Sequence, residues 1–128
     1  LSGAALVQGS ACPVPFNDKS ATICDGGYCN TLCMTAAQPA MNNFAHQKKA
    51  FARGGHLCTA AEVYILCSEL AEDVATCYGN DFLLGGRPSY NLVFRSNAGT
   101  LTLDDFYTSQ QRDSVNQAKY CLSPTGAD

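Results

Sequence analysis

The segment RGGHLCTAAEVYILC, residues 53–67, contains the strongest local structural signal in the chain. It includes a capping box, in which the Thr59 side chain accepts a hydrogen bond from the Glu62 amide and the Glu62 carboxylate accepts one from the Thr59 amide. Apolar residues follow at the spacing of one helix face, namely Val63, Leu66, Cys67, Leu70 and Val74. We therefore predict a helix over residues 60–75 with this face toward the core.

A second helix is predicted immediately upstream, over residues 39–53. Pro39 suits a first helical turn, and the Gly54-Gly55 pair can end the helix in a left-handed conformation. One face of this helix carries residues at i, i+3 and i+4 spacing, namely Met41, Phe44, Ala45, Lys48, Phe51 and Ala52. His46 lies off this apolar stripe, so we expect it on the solvated surface.

Strands are predicted mainly in the second half of the chain. Residues 90–95 and 100–103 alternate apolar and polar side chains about a turn that contains Gly99, which is a hairpin signal. Residues 118–122 are predicted to form a last short strand. By contrast, residues 12–33 contain turn-forming prolines and glycines and half of the cysteines, so we predict irregular structure held by bridges.

The order of these elements favours an α+β fold, because the helices precede the strands. We predict one disulfide-stapled domain over residues 12–128, with two helices followed by a small antiparallel sheet. An N-terminal arm, residues 1–11, precedes this domain. The arm is free of cysteine, and its alternation around Val7 indicates a short strand.

Eight cysteines in 128 residues indicate disulfides and an oxidising compartment. We therefore expect a secreted, extracellular protein in which every cysteine is paired, namely Cys12, Cys24, Cys29, Cys33, Cys58, Cys67, Cys77 and Cys121. The alternative is a metal site that joins Cys24, Cys29 and Cys33 to His46 or His56. We favour disulfides, because pairing accounts for all the cysteines at once, and we expect no metal and no cofactor.

Composition argues against two classes of partner. The formal charge is −3 and Lys48-Lys49 is the only adjacent basic pair, so the chain lacks the basic stripe that nucleic-acid binding needs. No apolar run approaches the ~20 residues of a membrane span. The first residues lack Met and a basic n-region, so we expect a mature form from which a leader has been removed.

Residues 53–67 and the later Lys119-Tyr120-Cys121 segment resemble C-type-lectin-like domains of the formylglycine-generating-enzyme branch. Those domains carry Gly, a basic residue, Leu, Pro or Cys, Thr, two further residues, Glu and an aromatic residue, and later a Tyr-x-Cys strand. The family's tryptophans, its calcium-dependent sugar-binding signatures and its paired catalytic cysteines have no match in this chain. The resemblance therefore implies the scaffold without the best-known activities.

The resemblance also implies one disulfide. In the resembled fold the final strand is tied back near the capped helix, so Cys121 is expected to pair with Cys58 or Cys67. We favour Cys58, because Cys67 lies two turns inside the predicted helix and can reach Cys77 after it. A partner of Cys121 among residues 12–33 would argue against the lectin-like fold.

No catalytic motif is found, since the chain has no Gly-x-Ser-x-Gly elbow, His-Glu-x-x-His pair or glycine-rich phosphate loop. We therefore expect a non-enzymatic module that binds a protein or glycan partner through its loop-rich second half, where Tyr and Asn combine flat apolar area with polar edges. The candidate ligand-binding residues are Tyr78, Asn80, Asp81, Tyr90, Asn91, Asp104, Asp105 and Tyr107. Calcium at the loop acids is a weaker alternative, because no calcium-loop pattern is present.

The alternative function is a self-assembling extracellular structural or filament subunit. Its N-terminal arm would add a strand to the open sheet edge of a neighbouring copy. A head-to-tail contact of this kind makes an open filament unless it closes as a ring. The low charge of the chain also fits a surface that neighbours partly cover, so a homo-oligomer is expected in this case.

The first prediction concerns oxidation. We expect the intact mass before and after reduction to differ by eight hydrogens, one for each of the eight cysteines. Mass spectrometry under denaturing conditions measures this difference. Thiols that react without reduction, or zinc that co-purifies in stoichiometric amount, would contradict the pairing of every cysteine.

Overall fold

The structure, a computed structural model, describes residues 12–86, 91–94, 106–109 and 115–122. Within these residues the helices are α1 (Asn43–Ala52), α2 (Ala60–Glu69) and α3 (Val74–Cys77). The strands are β1 (Lys19–Asp25), β2 (Tyr28–Met34), β3 (Gln38–Met41), β4 (Gly55–Leu57), β5 (Leu83–Leu84), β6 (Asn91–Phe94), β7 (Phe106–Ser109), β8 (Asn116–Ala118) and β9 (Tyr120–Leu122). The predicted α+β class is confirmed, but the predicted order of two helices followed by one small antiparallel sheet is wrong, because β1–β3 precede α1 and the strands form two sheets.

The strands form two sheets. One has the order β1-β2-β9-β4 and is antiparallel throughout, while the other has the order β3-β8-β5-β6-β7 and contains a parallel pair, β5 with β8. The predicted single strand over residues 118–122 is therefore wrong. It is two strands in different sheets, β8 and β9, separated by Lys119.

Residues 12–33 are more regular than predicted, because most of them belong to the β1–β2 hairpin. Its register runs from Lys19 opposite Met34 to Asp25 opposite Tyr28. The connecting Gly26 and Gly27 have φ angles of +60° and +89°, and a two-residue turn of this kind favours glycine. The alternation of polar and apolar side chains between Lys19 and Asp25, followed by a glycine pair, is a hairpin signal. It was overlooked because the cysteines of this segment favoured irregular structure held by bridges.

The hairpin predicted in the second half of the chain is confirmed for one strand, and its other strand is not tested. Strand β6 lies within the predicted residues 90–95, but its hairpin partner is β7, with Asn91 opposite Ser109 and Phe94 opposite Phe106. The predicted partner, residues 100–103, lies outside the described residues.

Helix α1 begins later than predicted, and the face that carries Phe44 and Phe51 is exposed while the face that carries His46 is buried. Asn42 caps it by accepting a hydrogen bond from the Ala45 amide at 2.8 Å, whereas Pro39 lies in β3, a strand at a sheet edge. Proline is tolerated at such an edge. The Phe44 and Phe51 side chains are 68% and 82% exposed, while His46 is fully buried. The predicted solvated position of His46 is therefore wrong.

Helix α2 has the predicted capping box but is shorter than predicted. Val63, Leu66 and Cys67 are buried as expected. The helix ends at Glu69 because the amides of Ala71 and Glu72 fold back onto the carbonyls of Ser68 and Cys67, both at 3.1 Å. This paired arrangement is the Schellman motif. Asp73 then caps α3 through the Thr76 amide, so residues 60–75 form two helices rather than one.

All eight cysteines are paired, in the bonds Cys12–Cys33, Cys24–Cys29, Cys58–Cys121 and Cys67–Cys77. The expected Cys58–Cys121 bond and the Cys67–Cys77 bond are thus both present. The alternative metal site is wrong, because the three cysteines it required are bonded to other cysteines.

Two clusters of buried side chains form the core. One surrounds α2 and α3 and contains Met34, Leu66 and Tyr78. The other lies between α1 and the β4–β9 strands and contains Phe16, Ala50, Leu57, Leu83 and Tyr120. Ala50 is the small side chain that α1 buries there, so the helix packs closely on β4 while its phenylalanines remain outside.

The second prediction concerns the end of α2. Ala71 has a φ of 54°, and a residue with a Cβ atom in this left-handed region is strained by roughly 1–2 kcal/mol. Glycine would relieve this strain, but the greater flexibility of glycine in the unfolded chain offsets part of the gain in stability. We expect Ala71→Gly to raise the free energy of unfolding by about 0.5–1 kcal/mol, measured by urea denaturation.

Gly54 supplies the matched control. It occupies the equivalent position after α1, with a φ of +86° and open space around its Cα. Gly54→Ala should lower the free energy of unfolding by a similar amount. Changes of the same sign in the two variants would contradict this account of both helix ends.

Candidate functional site

A groove of about 570 Å³ lies between α1 and the strand that follows it. Its α1 wall carries Phe44, Gln47, Lys48 and Phe51, and its floor is formed by β4, Thr59 and the glycines after β5. The volume lies within the range of roughly 300–1,000 Å³ that is typical of ligand pockets. The exposed rings of Phe44 and Phe51 give this groove an apolar wall.

Buried hydrogen bonds of His46 decide which face of α1 lines the groove. Nε2 of His46 lies 2.7 Å from the Asn116 carbonyl oxygen, and Nδ1 lies 2.7 Å from the Tyr120 hydroxyl. Because a carbonyl can only accept, Nε2 carries the hydrogen, and the Tyr120 hydroxyl donates to Nδ1. Holding His46 inward turns the phenylalanines of the same helix outward.

Burial keeps this pair uncharged. Burial lowers the pKa of His46, with Lys49 acting in the same direction and the hydrogen bond to Asn116 opposing it. Burial likewise raises the pKa of Tyr120 to about 12. The rings meet edge to face, with centroids 5.7 Å apart. The orientation of α1 therefore depends on a neutral imidazole bonded at both nitrogens.

Close backbone packing forms the floor of the groove. A Cβ added to Gly55 would lie 2.6 Å from the Cys121 carbonyl oxygen and from the Phe16 ring. A Cβ added to Gly85 would lie 2.7 Å from the Leu57 carbonyl oxygen. At these two positions the approach of neighbouring backbone requires glycine.

His56 links the floor to the capped helix. Its Nε2 lies 2.8 Å and 2.9 Å from the two Glu62 carboxylate oxygens, one of which also accepts from the Thr59 amide at 2.9 Å. Burial by itself raises the pKa of Glu62, but the hydrogen bonds from His56 and Thr59 outweigh burial and hold the pKa below the ordinary 4.5. The capping box therefore fixes the His56 ring beside the groove.

The α1 wall of the groove is basic as well as aromatic. The Lys48 Nζ atom lies 5.7 Å from the centroid of the Phe44 ring. Lys49 on α1 and Arg53, the C-cap residue, add positive charge nearby without lining the groove, and residues 43–53 contain no carboxylate. The groove thus offers apolar rings with a cation at their edge, which suits a ligand that combines an apolar group with an acid.

Tyr78 does not form the exposed surface that was predicted for it. Its side chain is 1% exposed, its hydroxyl donates to the Leu83 carbonyl, and its ring meets Phe82 edge to face. Burial raises the pKa of the Tyr78 hydroxyl. The prediction of Tyr78 as a ligand-binding residue is therefore wrong, and its role is in the core.

The other predicted ligand-binding residues are not gathered at the groove by the described structure. Asn80 is exposed and Asp81, with a φ of 60°, is partly exposed, and neither lines the groove. Asn91 and Tyr107 lie on the paired strands β6 and β7. The remaining three, Tyr90, Asp104 and Asp105, lie outside the described residues.

Sequence reasoning missed the groove although its signal was present. The stripe of Phe44, Lys48 and Phe51 was recognised as one helix face, but an apolar helix face is ordinarily assigned to the core. The lysine in the middle of the stripe was the indication that this face is solvated.

Comparisons with protein-family models, with curated proteins and with solved structures find no match to this chain. Among the described residues, no three His, Cys, Asp or Glu side chains lie together as metal ligands would. No helix in the described part of the chain has the length and apolar character needed to cross a membrane.

The third prediction concerns Glu62. Because its folded pKa is lowered, its contribution to stability is present above the ordinary pKa and is lost as the pH falls through the folded value. We expect Glu62→Gln, which can keep the capping hydrogen bond, to lower the free energy of unfolding by about 1 kcal/mol at pH 7. This difference should shrink steadily below about pH 4.5.

Urea denaturation of both proteins between pH 3 and pH 7 measures this difference. His46, whose lowered pKa also makes the fold sensitive to acid, is present in both proteins, so its effect cancels in the comparison. A gap of constant size over the whole pH range would show that the Glu62 charge contributes nothing.

Proposed function

We propose that this chain is a secreted, non-enzymatic extracellular module that binds a protein partner through the α1–β4 groove. The observation that carries the proposal is the exposure of Phe44 and Phe51 on the groove wall, 68% and 82%. Two exposed rings beside a concave floor are typical of a binding site, because partner binding removes their apolar surface from water. The four disulfides support the secreted location.

Binding rather than catalysis is supported by the hydrogen bonds of the polar groups at the groove. The Thr59 hydroxyl donates to Glu62 at 3.2 Å and accepts from the Glu62 amide at 3.3 Å. It is thus engaged in capping, and His56 is held by the same carboxylate. The polar groups beside the groove are therefore engaged in holding the start of α2.

We propose a C-type-lectin-like scaffold for this module. The capped helix and the Cys58–Cys121 bond support it, since the resemblance implied both a helix at this position and a bond from the last strand to its start. A protein partner is favoured over a glycan because the groove wall is formed largely by phenylalanine rings and lysine.

A self-assembling structural subunit is the second candidate function. It is favoured by the position of β1, a seven-residue strand at the edge of its sheet, since an edge strand can accept a further strand. The proposed donor, residues 1–11, lies outside the described residues. Filaments in negative stain that disappear when residues 1–11 are removed would favour this candidate over the first.

The fourth prediction tests the groove. The folded protein is used to select binders from a random peptide library, and the affinities of the selected peptides are measured by fluorescence anisotropy. We expect peptides with an apolar anchor and an acidic residue, and a dissociation constant that rises about 10-fold or more in Phe51→Ala.

Tyr64 supplies the matched control. It is an exposed aromatic residue on α2, 44% accessible, that does not line the groove. Tyr64→Ala should leave the affinity within about 2-fold, because it removes a ring of similar size elsewhere. Failure to select any peptide, or an affinity that is indifferent to Phe51, would overturn the proposed function.

A further inference from the structure

The β1–β2 hairpin ends in a rigid, narrow tip. This hairpin tip, residues 24–29, has the sequence CDGGYC. Cys24 and Cys29 lie opposite each other and are bonded, and the next pair, Asp25 and Tyr28, flanks the two-residue turn. A cross-linked hairpin loses little conformational entropy on binding, so a side chain presented by it is already ordered for a partner.

The hairpin tip presents one large side chain to solvent. Tyr28 is 85% exposed. A Cβ added to Gly26 or Gly27 would meet nothing within 4 Å. The tip is therefore a slender backbone turn beside one tyrosine, a shape that can enter a groove.

The hairpin tip lies away from the groove of its own chain. Strand β2 pairs with β9 only at Met34, so Tyr28 lies six residues, or roughly 20 Å, farther along the strand. The groove borders β4, which lies on the other side of β9. An encounter between tip and groove therefore requires two molecules.

The two surfaces are complementary in charge. Residues 20–30 contain one acid, Asp25, and no basic residue. The α1 wall, by contrast, carries Lys48, and residues 43–53, which also include Lys49 and Arg53, contain no acid. The tip therefore combines a tyrosine with a carboxylate, and the groove combines phenylalanines with an ammonium group. Such a pairing of apolar contact with opposite charge fixes orientation in interfaces.

We propose that the groove of one molecule receives the hairpin tip of a second copy of this chain. Tyr28 of the incoming copy lies between Phe44 and Phe51, and its Asp25 lies toward Lys48. The inference rests on the proposed function, since it names the partner of the same groove. Because tip and groove are different surfaces, the contact is head-to-tail and extends into chains of molecules unless a ring closes.

The contact is small, which determines how the association is measured. One tyrosine contributes roughly 150–250 Å² of buried surface, and the whole contact lies below the ~1,000 Å² of stable interfaces. We therefore expect a dissociation constant on the order of 0.1–1 mM. Salt should weaken the association, because an exposed ion pair contributes to it.

The fifth prediction tests this contact by sedimentation velocity of the full chain from about 0.02 to 1 mM at low salt. We expect the average mass of the natural protein to rise with concentration. Tyr28→Ser, which removes the tip residue, and Phe51→Ala, which removes a groove residue, should each remain monomeric. The control Tyr64→Ser should associate like the natural protein.

Mixing the two defective variants is the decisive measurement. Tyr28→Ser keeps an intact groove and Phe51→Ala keeps an intact tip, so their mixture should form one-to-one dimers that do not grow further. Unchanged melting temperatures show that both variants fold, as expected for substitutions of exposed side chains. A mixture that stays monomeric while the natural protein associates would overturn the head-to-tail contact.

Other outcomes separate this inference from the proposed function. If the natural protein stays monomeric at 1 mM while selected peptides bind in a Phe51-dependent manner, the groove is a binding site but its partner is not a second copy. If removal of residues 1–11 abolishes association and Tyr28→Ser does not, the arm is the occupant and the inference is wrong. If neither peptides nor a second copy bind, both proposals fail.

Discussion

The Cys58–Cys121 disulfide is the constraint on which the rest of the fold depends. It joins residues 63 positions apart and fastens β9, an inner strand of the four-stranded sheet, to the residue before the α2 cap. Cross-linking a loop of this length restricts the unfolded chain strongly, and values of a few kcal/mol are typical. Because β9 is fixed in this way, Tyr120, the residue before Cys121 in the same strand, is placed where α1 packs.

The orientation of α1 follows from the position of Tyr120. A buried imidazole needs partners for both nitrogens, and only an inward-facing His46 finds them, in Tyr120 and Asn116. Phe44 and Phe51 lie on the opposite side of the helix and remain exposed. The apolar groove is therefore a consequence of a polar contact in the core.

The junction between the two sheets depends on a second buried polar group. Lys119 lies between β8 and β9, and its Nζ donates to the Cys77 carbonyl at the end of α3, at 2.9 Å. Burial lowers the pKa of Lys119, with opposing effects from Asp18 and Glu72 and a further lowering from Lys19. A cation is favourable at the carboxyl end of a helix, so the crossing between sheets is tied to α3 as well as to α2.

The groove and the capping box form one structural unit. Glu62 caps α2 and holds His56, and the close approach of Gly85 to Leu57 completes the floor. The groove is consequently built on a strand and two helix ends rather than on loops alone. Such a surface is already ordered before a partner arrives, which favours binding by reducing the entropy lost.

The sequence by itself determined the features whose physical cause is local. The capping box lies within four residues and was predicted from spacing, and Cys77, ten residues after Cys67, was recognised as within its reach. The α+β class was predicted although the order of the elements was not. The resemblance of the motif around the cap implied Cys58 or Cys67 as the partner of Cys121, and the position of Cys67 within the predicted helix favoured Cys58.

Only the tertiary structure decided which face of α1 is buried, because the partners of His46 lie 70 and 74 residues away in the chain. The same holds for the division of residues 118–122 between two sheets, since each half pairs with strands far away in sequence. The helical period gives the spacing of a stripe but not its direction. Which side of the helix faces the core depends on whether the polar side chains on that side find hydrogen-bond partners there.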